Sequence, residues 1–238
     1  MRSVTVVLLS AATVFVLAQP QNTSTARPTA KTLNQSQNPH LRLHGNIIAA
    51  SLWPNPQKLY VCWENPAPQF QAEMQAVQKA IQTSWQTASS KVLFQGWERC
   101  AAVSQGIRIL IDDSGPMTVA IGRQLEIEED GIRHGVRNGM VLNFSFENWG
   151  SSCQSKKDEC IRGIAVHEFG HALGLVHEQN REDTPGECLA QDAQQGPTGD
   201  KALTAYDPKS VMNYCNPQWN TGVLSALDVD AIKQMYGI

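Results

Sequence analysis

Three histidines within eleven residues, His167, His171 and His177, restrict the fold of this 238-residue chain more than any other feature of its sequence. On a helix, residues four apart lie on one face, so His167 and His171 can direct two imidazole nitrogens to one cation. If the helix continued, His177 would point roughly 240° away from His171. The helix must therefore end between them, and Gly174 can end it because glycine adopts the left-handed conformation at little cost.

The three imidazoles predict a catalytic zinc site. Catalytic zinc usually has three protein ligands and one open position, whereas structural zinc is usually closed by four. Glu168 follows the first histidine and can reach a water on the ion without being a ligand. The alternative is that the three histidines are unrelated core or surface residues. Nothing would then require this spacing, or a Glu and a Gly at these positions, so the zinc site is the favoured interpretation.

These eleven residues are similar to the extended zinc signature of the metzincin metalloproteases. Within that clan, the sequence His-Glu-Gln-Asn-Arg-Glu-Asp that begins at His177 resembles the astacin family. The segment Ser-Val-Met-Asn-Tyr that ends at Tyr214 resembles the Met-turn of the clan. The likeness is strongest over residues 160–183 and 206–214.

The resemblance implies a two-lobed α/β (α+β) fold, with a twisted mixed sheet and two long helices in the N-terminal lobe and an irregular C-terminal lobe ending in a helix. It implies a zinc-dependent endopeptidase in which the histidines bind one Zn²⁺ and Glu168 is the general base for a zinc-activated water. Tyr214 would ligate zinc or stabilise the oxyanion, above a supporting Met212. Glu178 would meet the amine of a new N-terminus, or else pair with Arg181 in solvent.

Two other functions are compatible with the motif. A secreted zinc-containing binding or adhesion protein could keep the fold without turnover, although such a protein has no need of Glu168. A zinc amidase could act on a non-peptide amide, although the Met-turn with Tyr214 favours the protease.

The amino terminus predicts export. Residues 1–18 have the basic Arg2, an apolar run and a small residue at the end, which is typical of a secretory signal peptide. The run is shorter than the roughly 20 residues that span a membrane, so an uncleaved anchor is the less favoured alternative. Residues 19–51 have the polar composition of a propeptide or flexible leader. The catalytic domain is then expected at 52–238, with its lobes dividing near residue 177.

The charge balance gives no electrostatic case for nucleic acid or an anionic membrane as partner, because 19 basic and 22 acidic side chains leave a net charge of −3. The expected partner is a protein or peptide substrate, and a single catalytic unit suggests a monomer. Four acidic residues could bind a structural Ca²⁺, although a charged run is more often solvated: Glu126, Glu128, Glu129 and Asp130.

Six cysteines in an exported chain favour three disulfides, for which the sequence leaves 15 pairings open. Proximity along the chain and the predicted layout favour three pairs: Cys62–Cys100, Cys153–Cys160 and Cys188–Cys215.

Hydrophobic periodicity and turn residues predict the elements of the lobes. The expected strands are 58–63, 92–94, 107–111 and an exposed edge strand at 140–146, and the expected helices are 68–85, 160–176 and 225–236. An extended substrate would then pair with the edge strand at 140–146.

Overall fold

The computed structural model describes residues 45–191, 195–218 and 221–238. The predicted signal peptide and residues 19–44 of the predicted leader lie outside the described residues. The described strands are β1 Gly45–Ile47, β2 Leu59–Trp63, β3 Phe94–Arg99, β4 Ile107–Ile111, β5 Met117–Thr118, β6 Glu126–Glu129, β7 Ile132–Gly135, β8 Met140–Leu142 and β9 Lys201–Leu203. The described α-helices are α1 Gln71–Thr83, α2 Trp85–Ala88, α3 Lys157–Leu173, α4 Gly186–Gln191 and α5 Ala226–Tyr236.

A five-stranded mixed sheet forms the base of the N-terminal lobe within the described residues. Its strand order is β3-β2-β4-β8-β5. The first three pairings are parallel, and β5 pairs antiparallel with β8. This mixed α/β architecture confirms the predicted fold class.

The prediction of an exposed edge strand at 140–146 is wrong. The strand ends at Leu142, all three of its residues are buried, and it lies between β4 and β5. A strand covered on both faces of the sheet buries every one of its residues, as this strand does. The antiparallel edge of the sheet is instead β5, which has only two residues and follows directly on a turn.

Two long helices pack together beside this sheet. Helix α1 begins after a 3₁₀ turn at Pro68–Phe70 and buries Val77 and Ile81. Helix α3 is buried along almost its whole length from Cys160 onward, as is typical of a helix enclosed on all sides. The indole Nε1 of Trp85 donates to the carbonyl of Val166 at 2.8 Å, which joins α2 to the middle of α3.

The three predicted disulfides are confirmed: Cys62–Cys100, Cys153–Cys160 and Cys188–Cys215. The first joins β2 to the end of β3, the second fastens the start of α3, and the third connects α4 to the Met-turn. The last of these lies in the lobe with the fewest regular elements, and it stabilises that lobe by restricting the unfolded chain.

Residues 45–51 are ordered parts of the fold, which corrects the prediction of a flexible segment extending to Ser51. Strand β1 pairs antiparallel with β9, and Ile47 is 1% exposed. Ala49–Ser51 form a 3₁₀ turn with Ser51 buried. Within the described residues, the fold therefore begins at Gly45.

The C-terminal lobe has few regular elements and closes with helix α5, as predicted. Ser225 and Asp228 form a reciprocal capping box at its start, with Ser225 Oγ accepting from the Asp228 N–H at 2.9 Å. The phenol of Tyr236 donates to the carbonyl of Leu173, which fastens α5 to the end of α3. Across the described part of the chain, no helix has the length and apolar character needed to cross a membrane.

Candidate active site

Helix α3 and the loop that follows it bring the three histidines together. The helix ends at Leu173, and Gly174 follows with φ of 111°, the left-handed conformation expected of a helix-ending glycine. The Nε2 atoms of His167 and His171 each lie 3.2 Å from the Nε2 of His177. Among the described residues, this is the group of three or more potential ligands that could hold a metal.

The other ring nitrogen of each histidine faces a backbone carbonyl oxygen. His167 Nδ1 lies 2.7 Å from the carbonyl of Val211, and His171 Nδ1 lies 2.9 Å from that of Leu175. His177 Nδ1 lies 2.7 Å from the carbonyl of Gln195. A carbonyl can only accept, so each Nδ1 carries the proton and each Nε2 directs a lone pair inward. Three converging lone pairs fit a cation such as zinc, and these carbonyls fix the rings as outer-sphere partners do at metal sites.

The histidines are neutral because they are buried. Burial lowers the pKa of His167 well below its ordinary value and lowers that of His171 to about 3, with the neighbouring imidazoles acting in the same direction. Burial also lowers the pKa of His177. A neutral imidazole is the form that binds a metal, so the site is prepared for an ion at neutral pH.

Two distant segments hold His177 in place. Asn46 in β1 donates its side-chain N–H to the carbonyl of His177 at 3.2 Å. Asn180 donates to the carbonyl of Gln195, the same oxygen that faces the His177 ring, and accepts from the Gln195 N–H at 3.1 Å. The position of the third candidate ligand therefore depends on segments before and after the helix.

The Met-turn lies against the helix that carries the first two histidines. Met212 is 1% exposed, and a Cβ added to Gly170 would collide with its sulfur. The carbonyl of Met212 accepts from the N–H of Glu178 at 2.9 Å. Asp228 of α5 fixes the turn, accepting from Ser210 Oγ at 2.6 Å. The structure thus places Met212 where the resemblance implied, as a packed support.

Glu168 is 4% exposed and hydrogen-bonded. The hydroxyl of Thr118, in β5, lies 2.8 Å from Glu168 Oε2 and 3.1 Å from the backbone carbonyl of the same residue. Burial raises the pKa of Glu168 to about 7, and the Thr118 hydrogen bond opposes that rise. A carboxyl group with a pKa near the working pH suits proton transfer.

Tyr214 lies over the histidine cluster. Its ring is stacked on that of His167 with centroids 5.2 Å apart and also contacts the ring of His177 at 4.5 Å. Its backbone N–H donates to Oε1 of Gln179, which is itself fully buried. The structure therefore brings the predicted tyrosine to the candidate ligands.

Glu178 is buried, so the alternative of a solvated carboxylate is wrong. It is 3% exposed, with Oε1 3.5 Å from Arg181 Nε and accepting from the Asp207 N–H at 2.9 Å. Burial raises its pKa to about 8. The role predicted for Glu178 in binding a new N-terminal amine stays a prediction, because no cleaved terminus is among the described residues.

The acidic run considered for calcium lies on the β6–β7 hairpin and its turn. Glu128 faces Arg133 at 3.7 Å, and Glu129 faces His134 at 3.5 Å. Glu126 accepts from the N–H of Gly106. These carboxylates make separate contacts and do not converge on one point.

Sequence reasoning missed three groups that orient the site: Thr118, Asn180 and the carbonyl of Gln195. Thr118 is 50 residues from Glu168, and nothing in its local sequence marks it. Asn180 lies within the motif, but only the folded loop shows that it holds Gln195.

Comparisons with known proteins give a family match over part of the chain and a shared overall fold. The model of the Astacin family, peptidase family M12A, matches residues 149–225, which include all three histidines and the Met-turn. No curated protein matches the chain. A solved structure of myroilysin is 21% identical, with a TM-score of 0.53 over 82% of this chain and 99% of that one, and shares the fold. A crystal structure of myroilysin gives 21% identity and a TM-score of 0.48 over 79% of this chain and 87% of that one.

The family match covers the segment in which the helix, the left-handed glycine and the Met-turn assemble three neutral imidazoles beside a buried carboxyl group. Over residues 149–225, about a third of the chain, this protein is similar to the Astacin peptidase family.

Proposed function

We propose that the protein is a secreted endopeptidase in which His167, His171 and His177 hold one zinc ion and Glu168 is the general base. One observation carries this proposal: the Nε2 atoms of the three histidines converge, and a backbone carbonyl orients each imidazole ring. When bound, zinc would polarise a water molecule and lower its pKa towards about 7.

Glu168 supplies the proton transfers. Its buried carboxylate takes a proton from the attacking water and passes it to the leaving amine of the scissile bond. The site around it is shielded from solvent, which strengthens electrostatic interactions with the carboxylate. Because Glu168 is not among the converging ligands, it is free to act on the water.

Tyr214 is proposed to stabilise the negative charge that develops on the carbonyl oxygen of the substrate. Its ring already rests on His167 and His177. A phenol O–H directed at the oxyanion contributes in the transition state more than in the ground state.

The substrate is proposed to lie along the edge of β5, in place of the 140–146 segment expected from sequence. Strand β8 occupies one side of β5, and no other strand of this sheet covers its second side within the described residues. Met117 is 52% exposed there. An extended peptide that adds a strand to this edge is read through its main chain first, which suits an endopeptidase.

Secretion, the leader and the monomeric state are further parts of the proposal. Three formed disulfides suit an oxidising compartment. We propose a signal peptide at 1–18, a leader that ends before Gly45, and a catalytic domain that follows. A single catalytic unit suits a monomer. Amino-terminal sequencing of the protein collected from the medium tests the processing, with the expected start after residue 18.

Glu168→Gln tests the function. We expect the wild type to hydrolyse an unfolded protein such as casein, and the variant to hold one zinc per chain while losing about 10²- to 10⁴-fold in rate. Glu128→Gln, which removes the same charge from an exposed strand, is the control and should retain wild-type turnover.

Two results would contradict the proposal. Activity of the zinc-loaded Glu168→Gln variant close to wild type would exclude this general base. Cleavage of cell-wall fragments with none of casein would favour an amidase, and zinc binding without any hydrolysis by the mature wild type would favour a binding protein.

A further inference from the structure

Thr118 joins the edge strand of the sheet to the buried carboxyl group of Glu168. Its hydroxyl lies 2.8 Å from Glu168 Oε2, and among the described residues it is the hydrogen-bond donor to that carboxylate. A carboxylate has two oxygens, so this bond engages Oε2 and leaves Oε1 to accept from a water molecule. The bond thereby determines which oxygen faces the reaction.

The hydroxyl is held by the strand itself. Threonine is branched at Cβ, so few χ1 rotamers are open to it and its Oγ1 follows the backbone closely. Strand β5 pairs with β8 in the register Met117 to Val141 and Thr118 to Met140. The position of the hydroxyl is therefore set by this short strand.

The main chain of Thr118 faces the open edge. The N–H of Val119 donates to the carbonyl of Gly139 at 3.0 Å, so the peptide groups of Val119 point towards β8. Neighbouring residues of a strand direct their N–H and C=O groups to opposite sides. The N–H and C=O of Thr118 therefore point away from β8, to the side where an extended peptide would pair.

We propose that Thr118 is a positioning residue that couples the docking of substrate on β5 to the orientation of Glu168. One residue uses its main chain for the substrate and its side chain for the general base. A peptide that pairs with the edge stabilises β5 and so fixes the hydroxyl and the carboxylate in one arrangement. This inference rests on the proposed function, in which Glu168 is the base.

Thr118→Val removes the hydroxyl and keeps the shape, and Thr118→Ser keeps the hydroxyl. Since a hydrogen bond to a charged group contributes a factor of about 10 to 100, we expect Thr118→Val to lower kcat by that factor. KM should change less than about twofold, with one zinc retained per chain. Thr118→Ser should restore kcat to within about threefold of wild type. Thr83→Val, whose hydroxyl bonds to a carbonyl of its own helix, is the matched control. Thr118→Ala is a second hydroxyl-free variant for use if the valine variant does not fold.

The double variant Thr118→Val/Glu168→Gln separates positioning from a structural role. With the base absent, loss of the hydroxyl should alter the residual rate less than about twofold, whereas a structural defect would lower it as much as in the single variant. A kcat for Thr118→Val within twofold of wild type, or failure of the serine variant to restore it, would overturn the inference. If the wild type cleaves and Glu168→Gln does not, such a result counts against Thr118 alone. If Glu168→Gln still cleaves, the proposed function itself fails.

Discussion

The ion pair between Glu64 and Arg108 supports the sheet beneath the site, and Glu64→Gln should destabilise the protein strongly. Arg108 lies on β4 with its side chain 1% exposed, and its Nε and Nη2 donate to the two oxygens of Glu64 at 2.8 and 3.1 Å. The third nitrogen donates to the carbonyl of Ala102 at 2.9 Å. Glutamine keeps one acceptor oxygen but leaves the buried guanidinium charge without a counter-charge.

The expected loss is about 3 kcal/mol of unfolding free energy, the lower end of the range for breaking a buried pair, because one hydrogen bond survives. Glu128→Gln is the matched control: it removes the same charge, but its pair with Arg133 is 3.7 Å long and more than half exposed on both sides. Such pairs contribute about 0–1 kcal/mol. Urea unfolding at pH 7 with the disulfides intact measures both variants, and at an m-value of about 1–3 kcal/mol/M the midpoint of Glu64→Gln should fall by about 1–3 M.

The pH dependence gives this prediction a second test. The hydrogen bond from Arg108 holds the pKa of Glu64 below its ordinary value. A carboxylate whose pKa is lowered by folding stabilises the protein fully above its unfolded pKa, about 4.3, and loses that contribution as the pH falls through the folded pKa. The difference between wild type and Glu64→Gln should therefore be full at pH 7 and shrink below about pH 4. Equal midpoints for Glu64→Gln and Glu128→Gln at pH 7, or a difference that persists unchanged into acid, would refute the reasoning.

Three further perturbations have defined outcomes. Gly170→Ala places a methyl group against the sulfur of Met212 and should lower the unfolding free energy, measured in urea, by about 1–3 kcal/mol. In the control Gly186→Ala the methyl group enters open space, and the loss should be less than about 1 kcal/mol. Equal losses would contradict the packing argument. Replacing Cys188 and Cys215 by serine should lower the unfolding free energy by about 3.5 kcal/mol, because the unfolded chain regains the entropy that the closed loop removes. A loss under about 1 kcal/mol would show that this lobe does not need the cross-link. Chelation should abolish hydrolysis, and zinc added at about 1,000 times its Kd should restore it. At that concentration zinc should raise the unfolding free energy by about 4 kcal/mol, so an unchanged Tm would contradict the prediction.

Local patterns predicted the end of the helix and the shared face of its two histidines. The spacing of His167 and His171 on one helical face and the break at Gly174 depend on helix geometry and on one glycine, so the sequence alone indicates them. The cap of α5 was predicted for the same reason, since Ser225 and Asp228 are three residues apart.

Pairings between distant segments were predicted less well. The edge strand β5 has two residues next to a turn, too short for any periodicity, so the more regular sequence around Met140 was assigned to the edge instead. The sequence places strand β1 in the leader because it follows a polar segment and its partner lies near Lys201. In both cases the place of the strand depends on its pairing partner, which its local sequence does not reveal.

The link between β1 and the third histidine has a consequence for the order of folding. Asn46 and His177 are 131 residues apart, and Ala49 bonds to Asp200 across 151 residues. Contacts between such distant residues form late, because a long loop must first be closed at an entropic cost. The helix bearing the first two imidazoles can form early from local contacts, whereas the third is secured when residues 46–49 meet the segment from His177 to Asp200. We therefore expect the growing chain to acquire proteolytic activity only in the last stage of its folding.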